Sequence, residues 1–160
     1  MANPAKETVA YPFTAFRFSV TISVPDVQSG ALCNASFAEC DGLEMTMDVK
    51  TIREGGNNAA QVRLFGAVNY GTLTLKRGMT ENFDLWTWFE SLYERKKPVA
   101  RGDVTVSVFA ADGIKENVVF FLERCLPLKL KAPPLNAKDG IVAIEELQLA
   151  YEWLSRVVRP

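Results

Sequence analysis

The chain has 160 residues, 48% of them hydrophobic and 23% charged, with a formal net charge of −1. This is the composition of one globular domain spanning residues 1–160; it excludes a disordered chain and leaves no long-range field to gather nucleic acid or anionic lipid. There is no histidine, and the three cysteines, Cys33, Cys40 and Cys125, lack CxxC spacing, so histidine-based catalysis and histidine-bearing zinc sites are excluded, neither a disulfide framework nor a zinc ribbon is indicated, and buried reduced thiols are expected.

Residues 1–12, with Pro4 and Pro12, read as a terminal arm. The arm carries no apolar signal segment and no apolar run in the chain nears bilayer length, which predicts synthesis in the cytosol without a membrane anchor. Phe16, Phe18, Val20, Ile22 and Val24 alternate with Arg17, Ser19, Thr21 and Ser23, the pattern of a half-buried strand, and Pro25-Asp26 ends it. A loop through Ser29 and Gly30 leads to a short strand near Ala35 to Cys40 and a turn at Asp41-Gly42. Leu43, Met45, Met47 and Val49 then alternate with Glu44, Thr46, Asp48 and Lys50, predicting a second amphipathic strand with its apolar side in the core. Glu54-Gly55-Gly56-Asn57-Asn58 reads as a hairpin tip, with Gln61 to Phe65 on the return strand.

Tyr70 to Lys76 forms a further strand, stopped at Gly78. Thr80 is a candidate N-cap for a helix with Glu81 and Asp84 in its first turn, and Pro98 blocks continuation beyond Arg95-Lys96-Lys97. Phe83, Trp86, Phe89, Leu92 and Tyr93 recur at helical spacing and are read as the core stripe, which leaves Trp88 off the stripe and facing a neighbouring subunit. Val104, Val106 and Val108 alternate, Asp112-Gly113 signals a hairpin, and Glu116 to Leu126 forms the partner strand. The prolines between Pro127 and Gly140 indicate an irregular loop or an edge crossing. Ile141 to Glu152 fits both a helical and a strand period, and is read mostly as strand. The fold class is therefore mainly β (α+β): two packed antiparallel sheets, barrel-like, with one flanking helix.

Chemistry-bearing patterns are weak. The Gly-Gly tip lacks the closing Gly-Lys-Ser/Thr of a phosphate loop. Asp41, Glu44 and Asp48 are better explained as strand-surface charges than as a metal or glycosidase cluster. No cofactor, metal or catalytic residue is assigned, and the chain is read as a non-enzyme.

FRFSV, IREGGNN at Ile52 to Asn58, YGTLTLKRG at Tyr70 to Gly78, LWTWFESL and LKAPPLNAKDGIVAIEELQLAYE, in that order, resemble the tail tube family of contractile phage tails and extracellular injection systems. The stretch around Val27 to Asn34 departs from it. The resemblance implies a two-sheet fold with one helix, six-fold rings that stack into a hollow tube, and an inner barrel lined by polar strand faces from every subunit. It implies as partners further copies of the chain, a contractile sheath, baseplate and tube-terminating proteins, and a lumenal cargo of protein or, in a phage, DNA. Assembly in the bacterial cytoplasm and release within an extracellular particle or virion follow. On this reading Arg53, Glu54, Gly55, Gly56, Asn57 and Asn58 make ring-to-ring contacts, and Glu44, Thr46, Asp48 and Lys50 face the lumen. The alternatives are a baseplate-proximal starting ring, a phage tail tube, the related tube of type VI secretion, or a small β-barrel binding or enzymatic domain.

Overall fold

The computed structural model describes residues 14–53, 55–56, 61–94 and 99–158. The elements are β1 (Phe18–Ser23), β2 (Ala31–Ala35), β3 (Glu39–Asp41), β4 (Met45–Ile52), β5 (Val62–Tyr70), β6 (Thr72–Gly78), α1 (Asp84–Ser91), β7 (Gly102–Phe109), β8 (Glu116–Lys131), β9 (Ile144–Ala150) and β10 (Trp153–Val158). All pairings are antiparallel.

Strand β8, 16 residues long, belongs to two sheets. Up to Cys125 it pairs with β7 and β10, in the order β2-β1-β7-β8-β10; from Leu126 it pairs with β9, in the order β8-β9-β6-β3. The change of sheet falls at Arg124, whose φ of 55° is left-handed backbone that a side chain rarely adopts. Its amide donates to Asp103 Oδ1 (3.1 Å) and its guanidinium to Glu152 (2.6 Å), so both neighbours hold the corner. A strand that switches sheets at such a bend is how two packed sheets share an edge without closing; the pairing does not form a closed barrel among the described residues.

The apolar faces of both sheets meet in one core: Val20, Ile22, Val104, Val106 and Leu122 from the first, Leu73, Leu75, Leu147 and Leu149 from the second. The alternation in β1 and β7 thus buries Val20, Ile22, Val104 and Val106 as the sequence assigns them, while Phe18 and Val108 are half-buried and Phe16, ahead of β1, is exposed. Strand β8 extends through Pro127 to Lys131, so the edge alternative holds for that segment: Pro127 sits at a bulge beside Lys129, beyond the reach of β7, where its missing N–H costs no ladder bond.

The helix corrects the sequence reading. It begins at Asp84, with Phe83 at the N-cap position and Asn82 Oδ1 accepting the Asp84 amide (2.8 Å), so Thr80 is not the cap. Leu85 and Trp88 are buried, whereas Phe83 and Tyr93 are 66% and 71% exposed. Trp86 and Phe89 are only half-buried. Trp88, expected outside, is the largest fully buried side chain; its indole N–H donates to the Ala100 carbonyl (2.9 Å). The segment Leu85-Trp86-Thr87-Trp88-Phe89 is apolar on several sides, and the fold selects the stripe whose indole finds an acceptor. Gly102 makes room: a Cβ there would stand 2.8 Å from Val24 and 3.2 Å from Trp88.

Trp88→Ala is expected to cost about 3 to 5 kcal/mol through the cavity it leaves, and Trp86→Ala about half of that or less. Chemical denaturation of the monomeric protein checks the order; equal losses would return Trp86 to the core.

Candidate assembly interface

The β3–β6 pair and the β4–β5 ribbon lie in one register, Asp41 opposite Thr74 and Met45 opposite Tyr70. They are two halves of one long hairpin, interrupted at Gly42 to Glu44 and at Gly71. Across the interruption both strands change face: Cys40 and Leu43 pack on the core along one strand, Leu75, Leu73 and Tyr70 along the other, so the two-residue alternation slips by one in each. Gly42 permits this with φ +96°, and a Cβ there would fall 1.9 Å from the Thr72 carbonyl. Tyr151, itself buried, clasps the slip. Its hydroxyl proton lies between the carbonyls of Gly42 (2.7 Å) and Glu44 (3.0 Å), and its oxygen accepts the Glu44 amide (3.1 Å). Burial raises the pKa of this phenol, which keeps it a donor. Its ring packs on Tyr70, 5.6 Å between centroids, and Tyr70 in turn contacts Trp153.

Beyond the clasp, every residue of β4 is exposed. The expected burial of Met45, Met47 and Val49 therefore does not occur within one chain; they are 59%, 49% and 54% exposed. They share a face with Val68 and Phe65, the latter 89% exposed, on the side continuous with Leu43 and Tyr70. The sequence pattern for this strand was right and its partner wrong: the apolar face has no cover from this chain among the described residues.

Thr46, Asp48 and Lys50 share the other face, as the alternation predicts, with Glu44 at its start and with exposed Leu64, Ile52 and Val62 joining it toward the tip. Thr46 Oγ1 donates to the Asn69 carbonyl (3.3 Å) and Asn69 Nδ2 to Asp48 (2.9 Å), so two of the four candidate lumenal residues are fixed by one asparagine. Gly66 provides the bulge beside them, since a Cβ would lie 2.5 Å from the Asp48 carbonyl. At the tip, Arg53 is exposed and Gly55-Gly56 form a turn, with Gly56 at φ +97°. Glu54, Asn57 and Asn58 lie outside the described residues.

The face slip makes the polar side of the ribbon run on from the polar side of the second sheet, which the sequence reading left out of the site. Two rows cross that sheet: Glu39, Lys76, Glu146 and Lys131, then Asp41, Thr74, Gln148 and Lys129. Lys76 Nζ donates to Glu39 (2.7 Å), a hydrogen bond and charge that raise the lysine pKa, and Gln148 donates to Glu146 (2.8 Å). The signal was present in the alternation of Thr72, Thr74 and Lys76, and of Glu146 and Gln148, but nothing in one strand's sequence shows which strand lies beside it.

Beneath these rows, on the core side, Arg77 Nε is hydrogen-bonded to Glu145 directly across the β6–β9 ladder, both residues buried. Arg77 also reaches the Cys33 sulfur (3.1 Å) and the Asn82 carbonyl (3.4 Å), and its guanidinium lies over the Phe37 ring. Burial pushes all three thiols up, Cys40 to about 11 and Cys125 to about 12, so none is a ready nucleophile. Among the described residues no group of His, Cys, Asp and Glu is placed to hold a metal ion, and no helix is long and apolar enough to cross a membrane.

Residues 14–155 match the model of the T4-like virus tail tube protein gp19 family. No curated protein matches the sequence in a direct search. Among solved structures, the chain is similar to one in the six-fold symmetrised baseplate of the anti-feeding prophage (24% identity, TM-score 0.81, covering 94% of this chain and 98% of that one). It is similar to one in the extended sheath-tube complex of the PVC extracellular contractile injection system (20%, 0.78, 99% and 100%). A third is in the tube-terminating cap of the anti-feeding prophage (20%, 0.80, 99% and 100%).

Arg77→Met is expected to cost about 3 to 5 kcal/mol, because it strands the Glu145 carboxylate, and the Arg77→Met/Glu145→Leu double variant should recover most of the loss. A double-mutant cycle in denaturant reads both. Tyr151→Phe should cost about 0.5 to 1.5 kcal/mol by removing its hydrogen bonds to the Gly42 and Glu44 carbonyls, which keep the Glu44 and Gly71 amides as donors. Hydrogen exchange should then show the ribbon amides losing more protection than those of β8; uniform loss would mean that Tyr151 is not a local clasp.

Proposed function

The chain belongs to the T4-like virus tail tube protein gp19 family, and we propose that it is the inner tube subunit of a contractile injection system, forming six-fold rings that stack into a hollow tube. The observation that carries this reading is the β4–β5 ribbon, which extends from the two-sheet body with an apolar row of Met45, Met47, Val49, Phe65 and Val68 open to water. A two-stranded ribbon is marginal alone, and a contiguous apolar face of this kind marks a surface that another chain covers. In a stack of rings that chain is another copy.

The polar surface formed by the second sheet and the ribbon lines the lumen, with Glu44, Thr46, Asp48 and Lys50 extending it along the tube. The tip from Arg53 through Glu54, Gly55, Gly56, Asn57 and Asn58 reaches the adjoining ring. The sheath supplies the work of injection, so the subunit acts by polymerising and transmitting displacement, without a nucleotide site. Its other partners are baseplate and tube-terminating proteins, with protein cargo in the lumen, or DNA if the particle is a phage. Rings assemble in the bacterial cytoplasm and leave in the particle. A second reading, a baseplate-proximal starting ring, is favoured by the likeness to a chain of the anti-feeding prophage baseplate.

Electron microscopy of the purified chain tests the reading. Long tubes support the main subunit, single or paired rings support the starting ring, and stable monomers at high concentration reject both. Replacing Arg53 to Asn58 with an Asn-Gly turn is expected to leave a folded subunit by circular dichroism but to stop long tubes; normal tubes from it would remove the tip from the ring-to-ring contact.

A further inference from the structure

The second sheet ends in two strands that have a neighbour on one side only among the described residues: β3, and the half of β8 from Leu126 to Lys131. Their outward charges have opposite sign. Strand β3 carries Glu39 and Asp41; the β8 edge carries Lys129 and Lys131, which make no ion pair among the described residues. Across the sheet the outer row reads acid, base, acid, base, from Glu39 through Lys76 and Glu146 to Lys131.

Resting on the ring assembly proposed above, we infer that these two edges are the complementary sides of the joint between ring neighbours, and that their charges fix its direction. A second copy placed with its β3 edge beside the β8 edge of the first continues the alternation without a break: Lys131 meets Glu39, and Lys129 meets Asp41. A two-fold arrangement cannot do this. Two β8 edges face to face set lysine against lysine, and two β3 edges set carboxylate against carboxylate. The edge charges thus disfavour the isologous dimer, which is a dead end, and favour the heterologous contact that a closed ring needs. They also protect two open strand edges from pairing indiscriminately while the subunit is free. Contacts at the rim of such a joint are screened by salt, so their influence is on the choice and rate of association.

Two charge-reversed chains test this, Lys129→Glu/Lys131→Glu and Glu39→Lys/Asp41→Lys. The first has two acidic edges and the second two basic edges. Each is expected to fold, by circular dichroism, and to remain monomeric by size-exclusion chromatography at low ionic strength. An equimolar mixture should form rings, since acidic and basic chains can alternate around a six-fold ring. Rings from either variant alone, or no rings from the mixture of folded chains, overturn the edge assignment. Wild-type protein run in parallel separates the two layers: if it forms rings and both variants do as well, only the edge assignment falls, whereas a monomeric wild type rejects the ring assembly itself. Should a reversal prevent folding, the neutral Lys129→Gln/Lys131→Gln chain carries the test, with ring yield expected to fall by about tenfold at low salt; unchanged yield overturns the proposal.

Discussion

A single buried hydroxyl, that of Tyr151, sits where the long β3–β6 hairpin turns its faces over. Its hydrogen bonds to Gly42 and Glu44 reinforce the two backbone bonds at the interruption, from the Glu44 amide to the Gly42 carbonyl and from the Gly71 amide to the Glu44 carbonyl. Without that interruption, strict alternation would have sent Glu44, Thr46 and Asp48 to the core side and Met45 and Met47 to the polar side. The slip at Gly42 and Gly71 reverses this, and the result is one polar surface running from the second sheet onto the ribbon as far as Lys50, beyond which Leu64, Ile52 and Val62 share that face. Gly42 cannot be replaced without moving the Thr72 carbonyl, so the geometry is set by backbone as well as by side chains.

The register of the second sheet is fixed from both of its faces. Lys76 and Arg77 on β6 stand opposite Glu146 and Glu145 on β9, one pair at the surface and the other in the core. Sliding β9 by a single residue would expose Leu147 and Leu149 and turn Glu146 and Gln148 into the core. A buried ion pair is weak evidence for stability, since its desolvation offsets most of its attraction, but a displaced one is costly. Arg77–Glu145 is therefore best understood as a register lock, and the charge rows on the opposite face inherit their order from it.

How much of this was legible in the sequence depended on whether a residue's partner was local. The strands around Val20, Val106 and Leu147 were readable because alternation reports the core face directly, and Asp112-Gly113 gave the hairpin between β7 and β8. The helix was readable as a helix, yet its buried face was not. Leu85, Trp86, Trp88 and Phe89 offer two overlapping apolar stripes, and the choice rests on the Ala100 carbonyl and on Gly102, both distant in sequence. Met45, Met47 and Val49 misled for a different reason. Their alternation marks a face that excludes water, but it does not say whose atoms do the excluding. The rows of the second sheet were hidden because each joins residues from four separated segments, and only the pairing of strands assembles them.

Apolar and charged surfaces divide the work of recognition differently in this chain. The apolar face of the ribbon supplies a driving force without direction, since burial of Met45 or Phe65 is favourable against almost any apolar surface. Such a face alone would permit many contacts, including ones that do not propagate. The clasped slip keeps the row from Met45 to Val49 on the core side of the hairpin and Glu44, Thr46, Asp48 and Lys50 on the other, a division that ends toward the tip, where Leu64, Ile52 and Val62 share the face of Lys50. The charged edges of the second sheet then discriminate among approaches that the apolar face would tolerate, because like-signed edges repel before close packing is reached. Near the clasp the apolar row and the charges thus lie on opposite faces of one hairpin, held in their arrangement by a tyrosine hydroxyl and a glycine.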